Sequence, residues 1–166
     1  MSSLTFHICE TERGWVGLIF SEHGLRETTL PLPSREEALG RVLEAGASES
    51  APERELADVP ERVCALASGR YANLAFCIDW NGIAGFRRAV MEEAMRIPLG
   101  ETRSYGWLAE QVGHPRAARA VGRVMATNPL PIVVPCHRVV GSDGGLHGYG
   151  GGLAMKEALL RAEGAL

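Results

Sequence analysis

The sequence predicts an α+β protein: an N-terminal α/β domain over residues 1–83 with a short antiparallel sheet, then a mostly helical, winged helix-turn-helix-like domain over residues 84–166. Three observations carry this expectation. Short segments rich in β-branched and aromatic residues crowd the start of the chain, and apolar spacing of three and four residues takes over after Gly85. The charge also changes sign: residues 1–83 hold 7 Lys and Arg against 13 Asp and Glu, or −6, and the remainder holds 10 against 7, or +3. A whole-chain charge of −3 and a pI near 6 would argue against a nucleic-acid partner, but they hide this polarity.

In the first half, Leu4 to Ile8 and Trp15 to Phe20, separated by ETERG, read as an antiparallel strand pair. A third strand runs from Leu25 to Leu30 and stops at Pro31-Leu32-Pro33. Ser34 is an N-cap, with Glu37 placed to close a capping box, for a helix reaching about Ala45. The stretch AGASESAPERE is small, polar and charged, hence a loop or linker. A short helix near Pro60 to Ser68 and a strand at Phe76 to Trp80 complete this half, which carries no recognisable chemistry.

At 46% hydrophobic and 22% charged residues, the chain is neither disordered nor fibrous, and 166 residues suffice for a core without metal or disulfide staples. No apolar run approaches the ~20 residues that cross a bilayer. The start MSSLTFHICE has neither the basic residues nor the apolar stretch of a signal peptide, so a cytoplasmic location and no membrane partner are expected. Cys9, Cys64, Cys77 and Cys136 form no CxxC pair, and His7, Cys9 and His23 do not have metal-knuckle spacing. Four free thiols, packed as small hydrophobes, and no metal are therefore expected.

In the second half, Phe86, Val90, Met91, Ala94 and Met95 define a helix ended by Pro98-Leu99-Gly100. Ser104 caps a short helix from Tyr105 to Val112, which stops at Gly113-His114-Pro115, and a third helix runs from about Arg116 to Ala126. Two short helices on a tight glycine turn are equally plain αα packing or a helix-turn-helix whose second helix meets DNA. That second helix tips the balance. Ala117, Val121 and Val124 form its buried stripe, Ala118 and Gly122 a nearly bare strip, and Arg116, Arg119 and Arg123 a basic face without an acid. Gly122 in mid-helix costs ~1 kcal/mol against Ala, which points to close approach of a flat, anionic surface.

Leu130 to Pro135 is an uncharged, β-branched run, read as a buried strand or extended segment, and it leads into Cys136-His137-Arg138 before Val139-Val140 resumes the apolar pattern. Three ionisable residues inside an apolar run each need a partner. A neighbouring imidazole can hold the thiol proton and an arginine can stabilise the thiolate, the conditions that make cysteine nucleophilic. Adjacent side chains on an extended chain point to opposite sides, so His137 is expected to act on Cys136 through water or a backbone bend. Gly141 to Gly145 is a turn, Gly148 to Gly152 a flexible loop able to approach a ligand, and Leu153 to Glu163 a last amphipathic helix.

Asn128-Pro129, then Ile132-Val133-Val134-Pro135-Cys136-His137-Arg138-Val139, with Ala117 to Gly122 upstream and Gly151-Gly152-Leu153 and Lys156-Glu157 downstream, resembles the 6-O-alkylguanine-DNA alkyltransferases. The likeness runs in order over residues 85–163, and its PCHRV motif is highly specific; the first half adds only compatibility. The resemblance implies that Cys136 is the acceptor thiol, His137 its water-mediated base and Glu163 the carboxylate that orients the imidazole. It implies that Asn128 ties the recognition helix to the active-site segment, and that Arg119 fills the gap left by a flipped nucleotide. Tyr105 would push the phosphate and hydrogen-bond the guanine ring. Val139, Tyr149, Gly150 and Lys156 would form the base pocket, and Ala118 and Gly122 would meet the minor groove, with Arg116 and Arg123 on the DNA-facing side. The implied function is irreversible, stoichiometric transfer of an alkyl group from 6-O-alkylguanine, and from 4-O-alkylthymine, in duplex DNA to the protein's own cysteine. A monomer without a cofactor is expected.

Two departures stand out. Gly150 follows Tyr149 where some relatives have serine, leaving only a backbone donor and room for bulkier alkyl groups, and Val90-Met91 stands where bacterial members often have Val-Trp. Three other readings compete: a module that binds alkylated bases without repairing them, a cysteine-based alkylation-sensing helix-turn-helix regulator, and a cysteine hydrolase. The first would lack Cys136, the second would need a further promoter-binding or dimerisation domain, and the third would turn over repeatedly.

Overall fold

A computed structural model describes residues 3–51, 53–146 and 148–166. The chain divides into two compact units, Met1–Asp79 and Trp80–Leu166. The break falls before Trp80 rather than at Ile83. The Ile83 N–H donates to the Trp80 carbonyl at 2.9 Å and the Arg88 guanidinium lies 4.9 Å from the Trp80 ring centroid, so residues 80–83 belong to the second unit.

In the first unit, β1 (Thr5–Thr11), β2 (Gly14–Ser21) and β3 (Gly24–Thr28) form an antiparallel meander whose β1–β2 register runs from Thr5 opposite Phe20 to Thr11 opposite Gly14. Gly14 takes φ 132°, and a Cβ there would strike the Leu32 carbonyl. The sheet is mixed. Part of the stretch read as a linker forms a short edge strand, β4 (Ser48–Glu49), parallel to β1, and Arg54–Leu56 makes one 3-10 turn; Pro52 in the same stretch lies outside the described residues. Its backbone pairing with β1, invisible in its own composition, decides this. Helix α1 (Arg35–Glu44) begins as its cap demands, the Ser34 hydroxyl accepting from the Glu37 N–H at 3.2 Å. Helix α2 is Val59–Ala67. The strand expected at Phe76 to Trp80 is reduced to a single bridge between Leu25 and Ile78.

The expectation of four free thiols is corrected. Cys9 on β1 and Cys64 on α2 are joined as a disulfide, because α2 packs on β1 and brings Cα atoms 55 residues apart in sequence to 6.6 Å. Cys77 is free and exposed rather than packed as a hydrophobe, and Cys136 is free and buried. Among the described residues no cluster of three or more His, Cys, Asp or Glu could hold a metal ion, and no helix is long and apolar enough to cross a membrane.

The second unit contains α3 (Gly85–Ala94), α4 (Tyr105–Gln111), α5 (Ala118–Ala126) and α6 (Leu153–Ala162). Val90 and Met91 of α3, Leu108 of α4 and Val121 of α5 are fully buried, each contributing about 1.5–3 kcal/mol of burial. The Ser104 hydroxyl caps α4, accepting from the Trp107 N–H at 3.0 Å. The turn into α5 is fixed by Gly113 at φ 82° and by an edge-on contact between Phe86 and His114. Helix α5 starts two residues later than the spacing suggests, so Arg116 sits in the turn and Ala117 caps the helix; the buried stripe is Val121, Val124 and Met125.

The segment before Cys136 is not extended. Leu130 to Pro135 folds into a buried turn in which the Val134 N–H donates to the Leu130 carbonyl at 2.8 Å. Ile132 sits at φ 76°, a left-handed conformation that a β-branched residue adopts only under constraint. Two prolines and the Asn128 side chain override the β-propensity of Ile132, Val133 and Val134. Beyond it, β5 (Arg103–Ser104) pairs in parallel with β6 (Val139–Val140), which joins the start of α4 to the segment bearing the cysteine.

Candidate active site

Asn128, just past the end of α5, brackets that turn. Its Oδ1 accepts from the Leu130 N–H at 2.9 Å, and its Nδ2 donates to the Val134 carbonyl at 2.9 Å. The bracketed turn delivers Cys136 to the first position of a 3-10 turn, Cys136–Arg138, a backbone bend in place of a straight strand. Cys136 is only 6% exposed. Burial pushes its thiol pKa up, against weaker opposing pulls from Asn128, Tyr149 and Lys156. The resting group is therefore a protonated thiol.

His137 is 1% exposed, and its Nε2 lies 2.8 Å from Glu163 Oε1, at the C-terminal end of α6. An ionised carboxylate only accepts, so the imidazole proton sits on Nε2 and Nδ1 presents a lone pair. Nδ1 is buried and has no hydrogen-bond partner among the described residues. Burial lowers the His137 pKa, and the charges of Arg138 and Lys156 lower it further, against the pull of Glu163. Burial alone would raise the Glu163 pKa, but hydrogen bonds and charge from His137 and Arg138 hold it at about 2. The site rests with a neutral thiol, a neutral imidazole and an ionised carboxylate.

Arg138 corrects a sequence expectation. Its guanidinium serves Glu163 and not the thiol: Nε donates to Oε2 at 2.9 Å, Nη2 to Oε1 at 2.9 Å, and Nη1 to the Ile97 carbonyl at 2.8 Å. The cation that favours the thiolate is Lys156, whose Nζ donates to the Val139 carbonyl at 2.7 Å and lies 5.9 and 6.0 Å from the ring centroids of Tyr105 and Tyr149. The sequence does carry a signal for Arg138: a buried arginine demands an acid, and the resemblance already sets Glu163 beside its neighbour His137.

Both tyrosines lie in the field of the thiol. Burial and then the nearby Cys136 raise the pKa of each, and the buried Tyr149 hydroxyl faces the Cys136 thiol. Val139 is fully buried, and Gly150 is exposed with open space where a Cβ would go. The Tyr105 ring flanks α5: a Cβ on Gly122 would meet only Tyr105 Cδ1, at 4.0 Å. Packing inside the chain thus tolerates alanine at Gly122 and does not explain the glycine. On α5, Ala118 is half-buried, and Arg119 and Arg123 are exposed with guanidinium groups that make no hydrogen bond or ion pair among the described residues; Arg116 is exposed in the preceding turn.

The buried groups predict acid sensitivity with a definite sign. The neutral His137 is favoured in the folded protein, so below its ordinary 6.5 the unfolded chain binds the extra proton and stability falls. The depressed Glu163 contributes stability that is complete above its ordinary 4.5 and is lost as pH falls towards about 2. Urea unfolding from pH 7 downward is expected to show a progressive loss beginning near 6.5, with the portion below 4.5 flattened in Glu163→Gln. Parallel curves for the two proteins would contradict this account.

Fold and site define a small protein with a buried free thiol, Cys136, in the same unit as a helix-turn-helix pair, α4 and α5. The family model described as 6-O-methylguanine DNA methyltransferase, DNA binding domain, matches residues 85–165. A Mycobacterium leprae protein named methylated-DNA–protein-cysteine methyltransferase is 42% identical over 152 residues, covering 88% of this chain and 85% of its own. The solved Mycobacterium tuberculosis O6-methylguanine methyltransferase superposes with a TM-score of 0.72 at 32% identity, covering 98% of this chain and 93% of that one. The Mycobacterium tuberculosis OGT structure in complex with DNA gives 0.68 at 30% identity, covering 97% and 93%. The chain belongs to the methylated-DNA–protein-cysteine methyltransferase family.

Proposed function

We propose that this protein repairs DNA by taking the alkyl group of 6-O-alkylguanine, and of 4-O-alkylthymine, from duplex DNA onto Cys136, once per molecule. The observation that carries the proposal is the buried thiol at Cys136 beside a neutral His137 whose Nδ1 has no hydrogen-bond partner among the described residues while its Nε2 is held by an ionised Glu163. Such a set makes a nucleophile on demand. The Cys136 proton passes towards His137 Nδ1, by way of water, as the sulfur attacks the saturated alkyl carbon. The carbon–oxygen bond breaks with its electron pair left on the guanine, which is hydrogen-bonded by Tyr105 and takes up, through water, the proton that Cys136 released, and a thioether remains. A thioether offers no easy hydrolytic exit, so the protein is consumed.

The modified oxygen is hidden within the duplex, so the nucleotide must be flipped out at a cost of a few kcal/mol. Helix α5 is suited to offset it. Its bare strip at Ala118 and Gly122 permits close approach in the minor groove, Arg119 is free to enter the base stack, and Arg116 and Arg123 are exposed for phosphates. The second unit has a formal charge of +3, so the −3 of the whole chain is no obstacle to docking through that unit. Tyr149, Val139, Gly150 and Lys156 form the base pocket in this reading, and the protein acts as a cytoplasmic monomer without a cofactor.

The test is intact mass after incubation with excess duplex oligonucleotide carrying 6-O-methylguanine. One methyl group added per protein molecule is expected, with an equal amount of guanine restored. Repeated turnover would point to a hydrolase, and an unchanged mass with tight binding would point to a recognition module; either overturns the proposal.

A further inference from the structure

Buried charge on this site has to balance, and Arg138 decides how. The groups facing His137 are Glu163 at the end of α6, Lys156 within α6 and Arg138 on its own turn; Asn128, Tyr105, Tyr149 and Lys156 face the neighbouring Cys136. Glu163 brings one negative charge into a site where His137 and the carboxylate are nearly inaccessible. The Arg138 guanidinium answers it with two parallel bonds to the two carboxylate oxygens, and its third bond, to the Ile97 carbonyl, fixes the fork in place. Oε1 is shared between Arg138 Nη2 and His137 Nε2, so the same grip orients the imidazole. Without it, Glu163 would be a buried carboxylate with only the imidazole for company. The least costly remedy would then be a proton on His137, and an imidazolium Nδ1 donates where the reaction needs it to accept.

We propose that Arg138 is a positioning residue for alkyl transfer: by neutralising and clamping Glu163 it keeps His137 in the neutral tautomer whose Nδ1 can receive the Cys136 proton. The inference rests on the proposed repair function, and it assigns Arg138 a role through Glu163, with no contact to the substrate.

Two variants and two readouts test it. The second-order rate of methyl transfer from duplex oligonucleotide is measured from pH 5.5 to 9.5, and nitrogen-15 NMR of the histidine rings reports the His137 tautomer with no substrate present. In Arg138→Met, His137 is expected to show the imidazolium signature at pH 7. The rate should fall by at least about tenfold there and recover as pH rises, so that the acid limb of the profile moves up by about one unit or more. Arg138→Lys keeps a cation but not the fork. It should retain the neutral signature at pH 7 while reacting more slowly at every pH, and it serves if the Met variant does not fold. A uniform loss across pH with an unchanged neutral signature in Arg138→Met, or wild-type rates in Arg138→Lys, would overturn the proposal. If wild type transfers no methyl group, the repair reading fails by itself, and the NMR signatures still decide the role of Arg138.

Discussion

Cys136→Ala is expected to abolish alkyl transfer completely while leaving the fold and the binding of modified duplex intact. The substitution removes one sulfur from a packed turn, a smaller change than the Leu→Ala deletions that cost several kcal/mol, and the bonds of Asn128 to Leu130 and Val134, of His137 to Glu163 and of Arg138 to Glu163 and Ile97 do not involve the thiol. No other group can take over. Cys9 and Cys64 are bonded to each other, and Cys77, the other free thiol, is exposed and sits in the first unit without the His137–Glu163 pair. Intact mass read beside a binding titration checks both halves. A methyl group still acquired by Cys136→Ala would place the acceptor elsewhere, and Cys77→Ser would then locate it.

Arg119→Ala is expected to slow repair of duplex DNA by roughly tenfold to a hundredfold, the rate equivalent of ~1–3 kcal/mol withdrawn from base extrusion, and to leave reaction with the free modified base nearly unchanged. The split follows from location. Arg119 is exposed on α5 and bonds to nothing among the described residues, so its loss disturbs neither the turn held by Asn128 nor the hydrogen bonds of His137 and Arg138 to Glu163. A free base needs no extrusion and bypasses the residue. Rates measured on both substrates separate the two contributions, and equal losses on both would remove Arg119 from the flipping step.

Much of the fold was legible because local chemistry decides it. Ser34 and Ser104 cap the helices they announce, and the apolar spacing of Val90, Met91 and Ala94 marks the buried face of α3. What could not be read depends on partners far away in sequence. The pairing of Cys9 with Cys64 needs α2 laid on β1, and β4 exists only because β1 offers it an edge. The run from Leu130 to Pro135 misleads for a related reason: its β-branched residues favour extension, while one amide side chain, Asn128, holds them folded. At the site, the triplet Cys136-His137-Arg138 stands out in the sequence as a cluster needing partners. That one carboxylate, Glu163, serves both its neighbours is visible only once α6 is in place.

The constrained left-handed Ile132 has a consequence for selectivity. A turn bracketed by Asn128, with a strained residue at its tip, is over-determined, and the thiol it presents cannot swing outward to search for its target. All the travel then falls to the nucleotide. In the proposed reaction, bases that leave their stack readily reach Cys136 more often than well-paired ones, so the weakness of a damaged base pair acts as a first filter before any pocket contact is made.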